Sequence, residues 1–587
     1  STGIQVQTTS ASSNGAVVRI QGLNGRYSQI LRDGFPLYGG FSGSLDVLQI
    51  PPLDLRQVEY IKGSASTLYG GGAIGGLVNL LSKKDDKEET LLHLNVSHIG
   101  ARDLNAFFSR RFGKFGMTNL ATIHLHEPYD ADGDGFSDVP EVAKFNFNPK
   151  LFFHTNHQLD MYLGATVSGE RRIGGHMGLI ANDPTSADNF YRDLQESQRL
   201  TTQFSAKQRW KDDHSLELKN SVSIYDRNID IRMNQQGERA MFRGSQVNSF
   251  TELAYALNKE NSNLVLGLNF YTDEFKENNE DSVLKRDQQY MTYGGFVNYL
   301  QDVNDKLAME AGFRYDMANA ESDVSTSNNV SFAMPRLSML YKVTHAFSVR
   351  LSGGMGYRMP NLFTEEAEPY GYRGIGAIDF ASLDAERSYG TNLDFKYQNS
   401  FGTESILLML NQLFFFNEID HPVLLNTDSA NNLFYYNADA VLNTSGFESQ
   451  VKLTVWKFTW FVGYTYTEAF YKKNATTQHL VLNPKHSVKG DLLFVVDGIW
   501  RIGWDYEYKS EQLLSSGLNS PSLFTTGVIV ERTIDNFVIF LNAENFTDTR
   551  QTQHGRITSG PFDTPQFTEI YAPLDGYFFN VGLKIKL

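Results

Sequence analysis

From about residue 90 to its last residue the chain keeps one pattern, apolar and polar side chains alternating with a period of two. Leu92, Leu94 and Val96 interleave with His93, Asn95 and Ser97. Residues 215–224 read SLELKNSVSI and 263–270 read NLVLGLNF. At the end Phe579, Val581, Leu583, Ile585 and Leu587 alternate with Asn580, Gly582, Lys584 and Lys586. Side chains two apart share a face of a strand, so each segment has an apolar face and a polar, partly charged one. Two architectures use such strands. A soluble sandwich buries the apolar faces and wets the polar ones, whereas a membrane barrel turns its apolar face to lipid and its polar face to the lumen. Periodicity alone does not choose between them.

Further features favour the barrel. The alternation runs on without a Pro-rich spacer or a helical insertion. Short polar turns (211–214, 259–262, 302–305) alternate with long polar stretches (169–198, 274–288, 365–386), the asymmetry of an outer-membrane barrel. Aromatics make up 13% of residues, 42 Phe and 29 Tyr against 5 Trp, in a chain of mean hydropathy −0.34. No window approaches the roughly 20 apolar residues of a membrane-crossing helix. The absence of cysteine excludes disulfides and thiolate metal sites, and the net charge of −15 argues against nucleic-acid binding. The opening Ser1-Thr2-Gly3 fits a processed or truncated product, with no signal peptide in view.

Residues 17–81 have another texture: short β-branched runs between segments dense in Gly, Ser and Pro, hence short strands and tight turns. They include VRIQG at 18–22, DGFPL at 33–37, IPPLDL at 50–55, VEYIKG at 58–63 and LYGGGAIGGLVN at 68–79, with GYRMPNL at 356–362 further on. In that order the pieces at 18–79 closely resemble the C-terminal portion of the plug domain of TonB-dependent outer-membrane receptors, of a ferric-siderophore, Bacteroidota-like type, while GYRMPNL and the C-terminal alternating strand resemble the barrel of that family. The resemblance implies an all-β membrane protein of the Gram-negative outer membrane. Its 22-stranded antiparallel transmembrane β-barrel, residues 84–587 with long extracellular loops, would be occluded by an N-terminal plug at 1–83 that is incomplete at its start. It implies active import of a scarce metal chelate, a ferric siderophore first, cobalamin or haem as alternatives. The TonB–ExbB–ExbD complex would supply energy, and some relatives add a surface lipoprotein. No TonB-contacting segment is found, and Leu587 stands where such barrels commonly end in an aromatic residue. A soluble β-rich enzyme is the alternative of another class; no Gly-x-Ser-x-Gly, HExxH or carboxylate pair supports one, so no enzymatic activity is expected.

A plug that must leave a wide bore favours polar contacts with the wall, and Arg19, Arg26, Arg32, Arg56, Glu59 and Lys62 are the candidates, Arg19 and Glu59 foremost. Gly70–Gly76 would permit tight approach to that wall. Asp130, Asp132, Asp134, the Phe136 carbonyl, Asp138 and Glu141, with Gly135 at the turn, match an EF-hand Ca²⁺ loop at every liganding position. The expected cofactor is a structural Ca²⁺ relieving carboxylate repulsion, against the plainer reading of a solvated acidic loop. In the family the solute sits between plug apices and outer loops. Phe35, Tyr38 and Phe41 are apex candidates, unless they pack the plug core. Arg171, Arg172 and His176 in one loop, and Arg232, Arg239 and Arg243 in another, would suit an anionic ferric chelate; His176 beside Met177 also offers ligand types for haem or copper.

Overall fold

The computed structural model describes residues 3–12, 15–37, 49–63, 66–155, 158–181, 191–211, 213–233, 239–278, 286–402, 406–429, 432–561 and 565–587. From Glu89 onward, 22 antiparallel strands close into one barrel, a short extra strand (Thr476–His479) extending one hairpin. The first strand, Glu89–Ser97, pairs with the last, Phe578–Lys586, from Asn580↔Ser97 to Lys586↔Leu91, so no edge is left.

The wall is inside out by soluble standards. In Glu141–Thr155 the side chains of Phe145, Phe147 and Leu151 are 49%, 44% and 54% exposed, while Asn146, Asn148 and Lys150 between them are buried. Leu266, Leu268, Leu337, Met339, Ile539 and Leu541 repeat the outward apolar parity. Among the described residues no second sheet covers that face, so hydrocarbon is its natural solvent. Trp456, Phe458, Trp500, Phe112 and Phe115 stand exposed by the short turns, as an interfacial girdle does.

The loop asymmetry holds, with shifted bounds. The turn expected at 302–305 closes two residues later, because Asn304 pairs with Leu307 across a register shift at Asp302/Asn304. The polar stretch 169–198 is mostly hairpin: Leu159–Gly175 and Arg192–Trp210 stay paired up to Gly175↔Arg192. Above the membrane no lipid keeps the outward face apolar, so the alternation that marks a strand fades from this stretch while the ladder continues.

Inside the barrel, Ile4–Thr8 pairs with Ala16–Ile20, and a four-stranded sheet runs in the order Phe35–Pro36, Ser28–Arg32, Gly76–Ser82, Leu55–Lys62. Ile20, Ile30, Val78 and Leu80 form its small apolar core. The last inner strand ends at Ser82 and the first wall strand begins at Glu89.

Candidate functional site

The inner domain has a definite polarity. Ser12 Oγ donates to Asp193 Oδ2 at 2.6 Å, Ala11 packs on Ile557, Ile570 and Leu574, and Leu23, Tyr27 and Ile74 pack on Ile419 and Leu442. All these wall partners belong to the end carrying the long loops, so residues around 11–27 and 74 form the outward face of the plug. From Tyr27 and Gly76 the parallel strands Ser28–Arg32 and Gly76–Ser82 both run away from it. Phe35, just past the Asp33-Gly34 turn, therefore sits at the opposite end: it is 1% exposed and packs on Tyr162, ring centroids 6.1 Å apart, near the start of Leu159–Gly175. Direction of chain travel, invisible in composition, removes Phe35 from the apex. Tyr38 and Phe41 lie outside the described residues.

Polar pairs join plug to wall. Arg19 Nη2 lies 2.9 Å from Glu365 Oε2, and the Gly25 amide donates to Glu365 Oε1 at 2.5 Å. Glu386 accepts from Tyr27 Oη at 2.8 Å and from the Val423 amide at 2.7 Å, with Arg26 Nη2 at 3.4 Å. Lys62 pairs with buried Glu448, whose Oε2 also accepts from the Gly3 amide at 3.1 Å, and Lys150 Nζ reaches Asp33 at 2.8 Å. Glu59 does not take part. It faces Asn79 across the plug's own sheet and accepts its amide at 3.1 Å, because Leu55–Lys62 pairs there with Gly76–Ser82. Arg32 likewise stays within the plug, on Asp54. The glycine run does approach the wall: Gly72 donates to the Tyr357 carbonyl at 2.9 Å, and a Cβ on Gly71 would sit 2.6 Å from the Tyr357 ring.

Over the plug lies an aromatic roof. The segment 359–385 folds inward, and its Phe363, Tyr372 and Phe380 pack on Phe242, Phe275, Ile229 and Ile231 of the wall. Arg286 straps it down, holding Glu277 through two bonds of 2.7 and 2.8 Å and donating to the Tyr372 carbonyl at 2.5 Å. Beneath the roof a cavity of about 230 Å³ is lined by Gly71, Gly72, Asn248, Tyr271, Asp273, Tyr290, Tyr357, Arg358 and Asn361.

Strand parity sorts the predicted cations. Arg171 shares a face with exposed Leu163 and Val167, and it is spent outside on Glu141 (3.1 Å) and Glu196 (3.7 Å). Arg239 and Arg243 share the outward parity of Val247, and Arg232 that of Ile224. Arg243 bonds Asn228 at 3.0 Å, and Arg239 lies 3.9 Å from Asp230. Four of the five proposed loop arginines thus face away from the bore. Arg172 faces inward, beside Glu170. Among the inward arginines the sequence reading missed are Arg227, 3.5 Å from Glu368, Arg199, 4.3 Å over the Tyr225 ring, and Arg286 and Arg358. Parity counted from Ile224 would have found Arg227.

The acidic loop docks on its neighbour. Asp130, Asp132 and Asp138 bring carboxylate oxygens within 4.8 Å of one another. Asp130 accepts the Gly133 and Gly135 amides at 2.7 and 2.9 Å, and Asp138 the Ala131 amide at 2.8 Å. Gly133 and Gly135 take left-handed φ of 75° and 91°, which only glycine adopts freely. Burial, with the neighbouring aspartates, pushes the Asp138 carboxyl up to about 7. Two expected ligands lie outside that trio. Asp134 accepts the Phe136 amide at 2.9 Å. Glu141 opens a wall strand whose parity turns it outward to Arg171. Phe136 bridges to His176, whose ring stands edge-on at 5.8 Å and whose Nδ1 accepts the Gly178 amide at 3.2 Å. Burial holds the His176 imidazole below its usual value. That local engagement, rather than a pairing with Met177, accounts for its place.

A closed, lipid-facing barrel filled by a polar-latched inner domain, with long loops at one end, defines a plugged outer-membrane receptor. The chain matches the family model "TonB dependent receptor-like, beta-barrel" over residues 136–546 and "TonB-dependent Receptor Plug Domain" over 1–77. It belongs to the TonB-dependent receptors, β-barrel proteins of the Gram-negative outer membrane. The vitamin B12 transporter BtuB of Vibrio cholerae serotype O1 is 20% identical over 388 residues, 63% of this chain and 57% of BtuB, so the chain spans little more than half the length of that relative. Among solved structures, the FrpB iron transporter of Neisseria meningitidis superposes with TM-score 0.76 at 14% identity, covering 100% of this chain and 95% of that one. The ferric yersiniabactin uptake receptor FyuA of Yersinia pestis gives 0.76 at 14% (100% and 93%), and the copper transporter OprC 0.81 at 13% (100% and 94%). At these identities the likeness is one of fold.

Proposed function

We propose that this receptor actively imports a scarce metal chelate, a ferric siderophore, across the outer membrane, driven by TonB with its ExbB–ExbD partners. The observation that carries the reading is the roofed cavity above a polar-latched plug. Tyr271, Tyr290 and Tyr357 offer flat faces, Arg358 is the cation lining the cavity beside Asp273 and Asp316, and Arg227 and Arg286, paired with Glu368 and Glu277, are further cationic side chains on the inward side. A planar, anionic chelate satisfies both. A plug held by hydrogen-bonded ion pairs can exchange each for water, which an apolar interface cannot do cheaply. Titrating the detergent-solubilised receptor calorimetrically with a ferric catecholate, cyanocobalamin and haemin tests the cargo: binding of the ferric chelate alone supports the reading. Binding of cyanocobalamin alone favours cobalamin, the reading to which BtuB lends weight.

A structural Ca²⁺ in the outer loop is part of the same proposal. Asp130, Asp132 and Asp138 are hard oxygen donors crowded closely enough to favour a cation, and they fit the ion with fewer carboxylates than an EF-hand supplies. Bound there, Ca²⁺ would neutralise the cluster, and the chain would fix the loop through the Phe136–His176 bridge and the Arg550 contact to the Ala131 carbonyl. Tb³⁺ luminescence on the receptor, displaced by Ca²⁺ and lost in Asp130→Asn, tests it.

A further inference from the structure

A second cluster of metal-ligating side chains lies in the bore itself, on the wall sector made by the first three barrel strands. His124 and His126 stand two apart on Phe115–His126 and share its inward face with Leu120 and Thr122, while Ile123 and Leu125 between them face outward, 46% and 44% exposed. The plug fills the bore below this point, Leu53 packing on Leu91, Phe107 and Leu120. The His124 and Asp103 side chains remain 29% and 23% exposed, and at inward-facing positions that exposure is to the interior of the barrel.

The arrangement around the two imidazoles is that of prepared ligands. His124 Nδ1 lies 2.7 Å from Asp103 Oδ1, and the other Asp103 oxygen accepts the Asn95 amide at 2.9 Å. The register places Asn95, Asp103 and His124 in one row across three strands. His126 Nδ1 bonds the Glu127 carbonyl. Each ring thus has Nδ1 committed to an oxygen acceptor, the contact that fixes the tautomer with Nε2 as the basic nitrogen and orients histidines that bind metals. The ring centroids are 6.4 Å apart. With metal–nitrogen bonds of about 2.0–2.1 Å, two imidazoles on one ion place their centroids roughly 5–6 Å apart, so a small side-chain rotation closes the pair on an ion.

We infer that His124 and His126 form a binding site, facing the bore, for a divalent transition-metal ion, Cu²⁺ bound most tightly, with Asp103 as positioning residue. Imidazole nitrogens select copper, zinc and nickel over the hard ions that the carboxylate loop suits, and copper leads the affinity order at such sites. Water or the ion's own ligands complete the coordination. The site does not depend on which cargo the receptor imports, so its failure leaves the import reading standing and the converse.

The test uses the full chain in detergent, without a histidine tag, and with excess Ca²⁺ to saturate oxygen sites. Cu²⁺ titration followed by electron paramagnetic resonance is expected to give one tight equivalent whose hyperfine pattern reports two equatorial nitrogens. His124→Ala with His126→Ala abolishes that equivalent, while Asp103→Asn weakens it about 10–100-fold and changes the nitrogen coupling without altering the thermal transition. Ni²⁺ and Zn²⁺ compete for it. A wild-type spectrum with oxygen ligands only, or a tight equivalent that survives the double substitution, overturns the inference, and the wild-type spectrum needs no variant to fold.

Discussion

Arg19 and Glu365 are 346 residues apart in the chain and 2.9 Å apart in the fold, and their pair ties the outward face of the plug to the inward-folded segment 359–385. Both side chains are almost fully buried, 9% and 6% exposed. Removing one partner strands the other charge away from water, a loss of about 3–5 kcal/mol, whereas replacing both by apolar groups is often close to neutral. Glu365→Ala should therefore weaken plug protection in hydrogen exchange around 16–27, and Arg19→Met with Glu365→Leu should restore most of it. Equal effects of the single and double changes would show that the pair does not couple plug to roof.

The cation parity gives a sharper test. Arg171 and Arg227 lie in the upper parts of nearby strands, but Arg171 faces outward on Glu141 while Arg227 faces the bore near Glu368. Arg227→Ala should weaken binding of a ferric chelate at least tenfold by calorimetry, and Arg171→Ala should leave it unchanged. The reverse order would mean that the cargo enters along the outer wall of the loops.

The barrel was legible because period two persists wherever one face meets lipid and the other the lumen. It failed as a guide above the membrane, where no lipid keeps the outward face apolar. There Arg171, Arg239 and Arg243 read as loop residues although they sit on paired strands with a fixed outward parity. The plug's short strands were legible from their turn residues, but not the direction in which each runs. Phe35 and the outward face were therefore exchanged, and Glu59 was sent to the wall when a register within the sheet holds it on Asn79. The spacing of the acidic loop carried three of its carboxylates together; Asp134 lies outside that trio and Glu141 went to Arg171, a partner that only the fold supplies.

Withdrawing calcium should loosen that loop and little else. With chelator, chymotrypsin (at Tyr129 and Phe136) and hydrogen exchange should reach residues 127–140 several-fold faster, while the barrel's thermal transition stays put, because the loop is outside the wall ladder. Asp138→Asn should reproduce the chelated pattern in the presence of Ca²⁺. Protection that is indifferent to both would leave an ordinary acidic loop.

Asp33 makes the attachment of the plug's lower end pH-dependent. Burial pushes its carboxyl up, but the Lys150 ammonium, the Ser82 amide and Arg32 outweigh it and hold the group below its ordinary value. A depressed carboxylate contributes stability that is present above its unfolded pKa of about 3.9 and is lost as pH falls through the folded value. Plug protection should therefore be flat from neutral pH to about 4 and decline below, and Asp33→Asn should remove that part of the decline while lowering protection at pH 7, because Lys150 is left buried without its partner. A wild type and variant with identical acid profiles would mean that Asp33 has no share in the attachment.

The inside-out wall can be tested with one residue type at adjacent positions. Arg336 already sits in the strand Ser325–Lys342, facing the bore and 3.2 Å from Glu310, and the fold tolerates it. Leu337, the next residue, faces the other way and is 67% exposed. If that face meets hydrocarbon, Leu337→Arg should destabilise the barrel by about 2–4 kcal/mol near the bilayer midplane. The measurement is the folded fraction in lipid vesicles against denaturant, read by the gel mobility shift of heat-unfolded barrel. Leu337→Met should be near neutral, since it keeps the apolar contact with lipid. In a water-facing wall the order would invert, an exposed arginine being harmless and an exposed leucine the anomaly, so a neutral Leu337→Arg would remove the physical basis for placing this chain in a membrane.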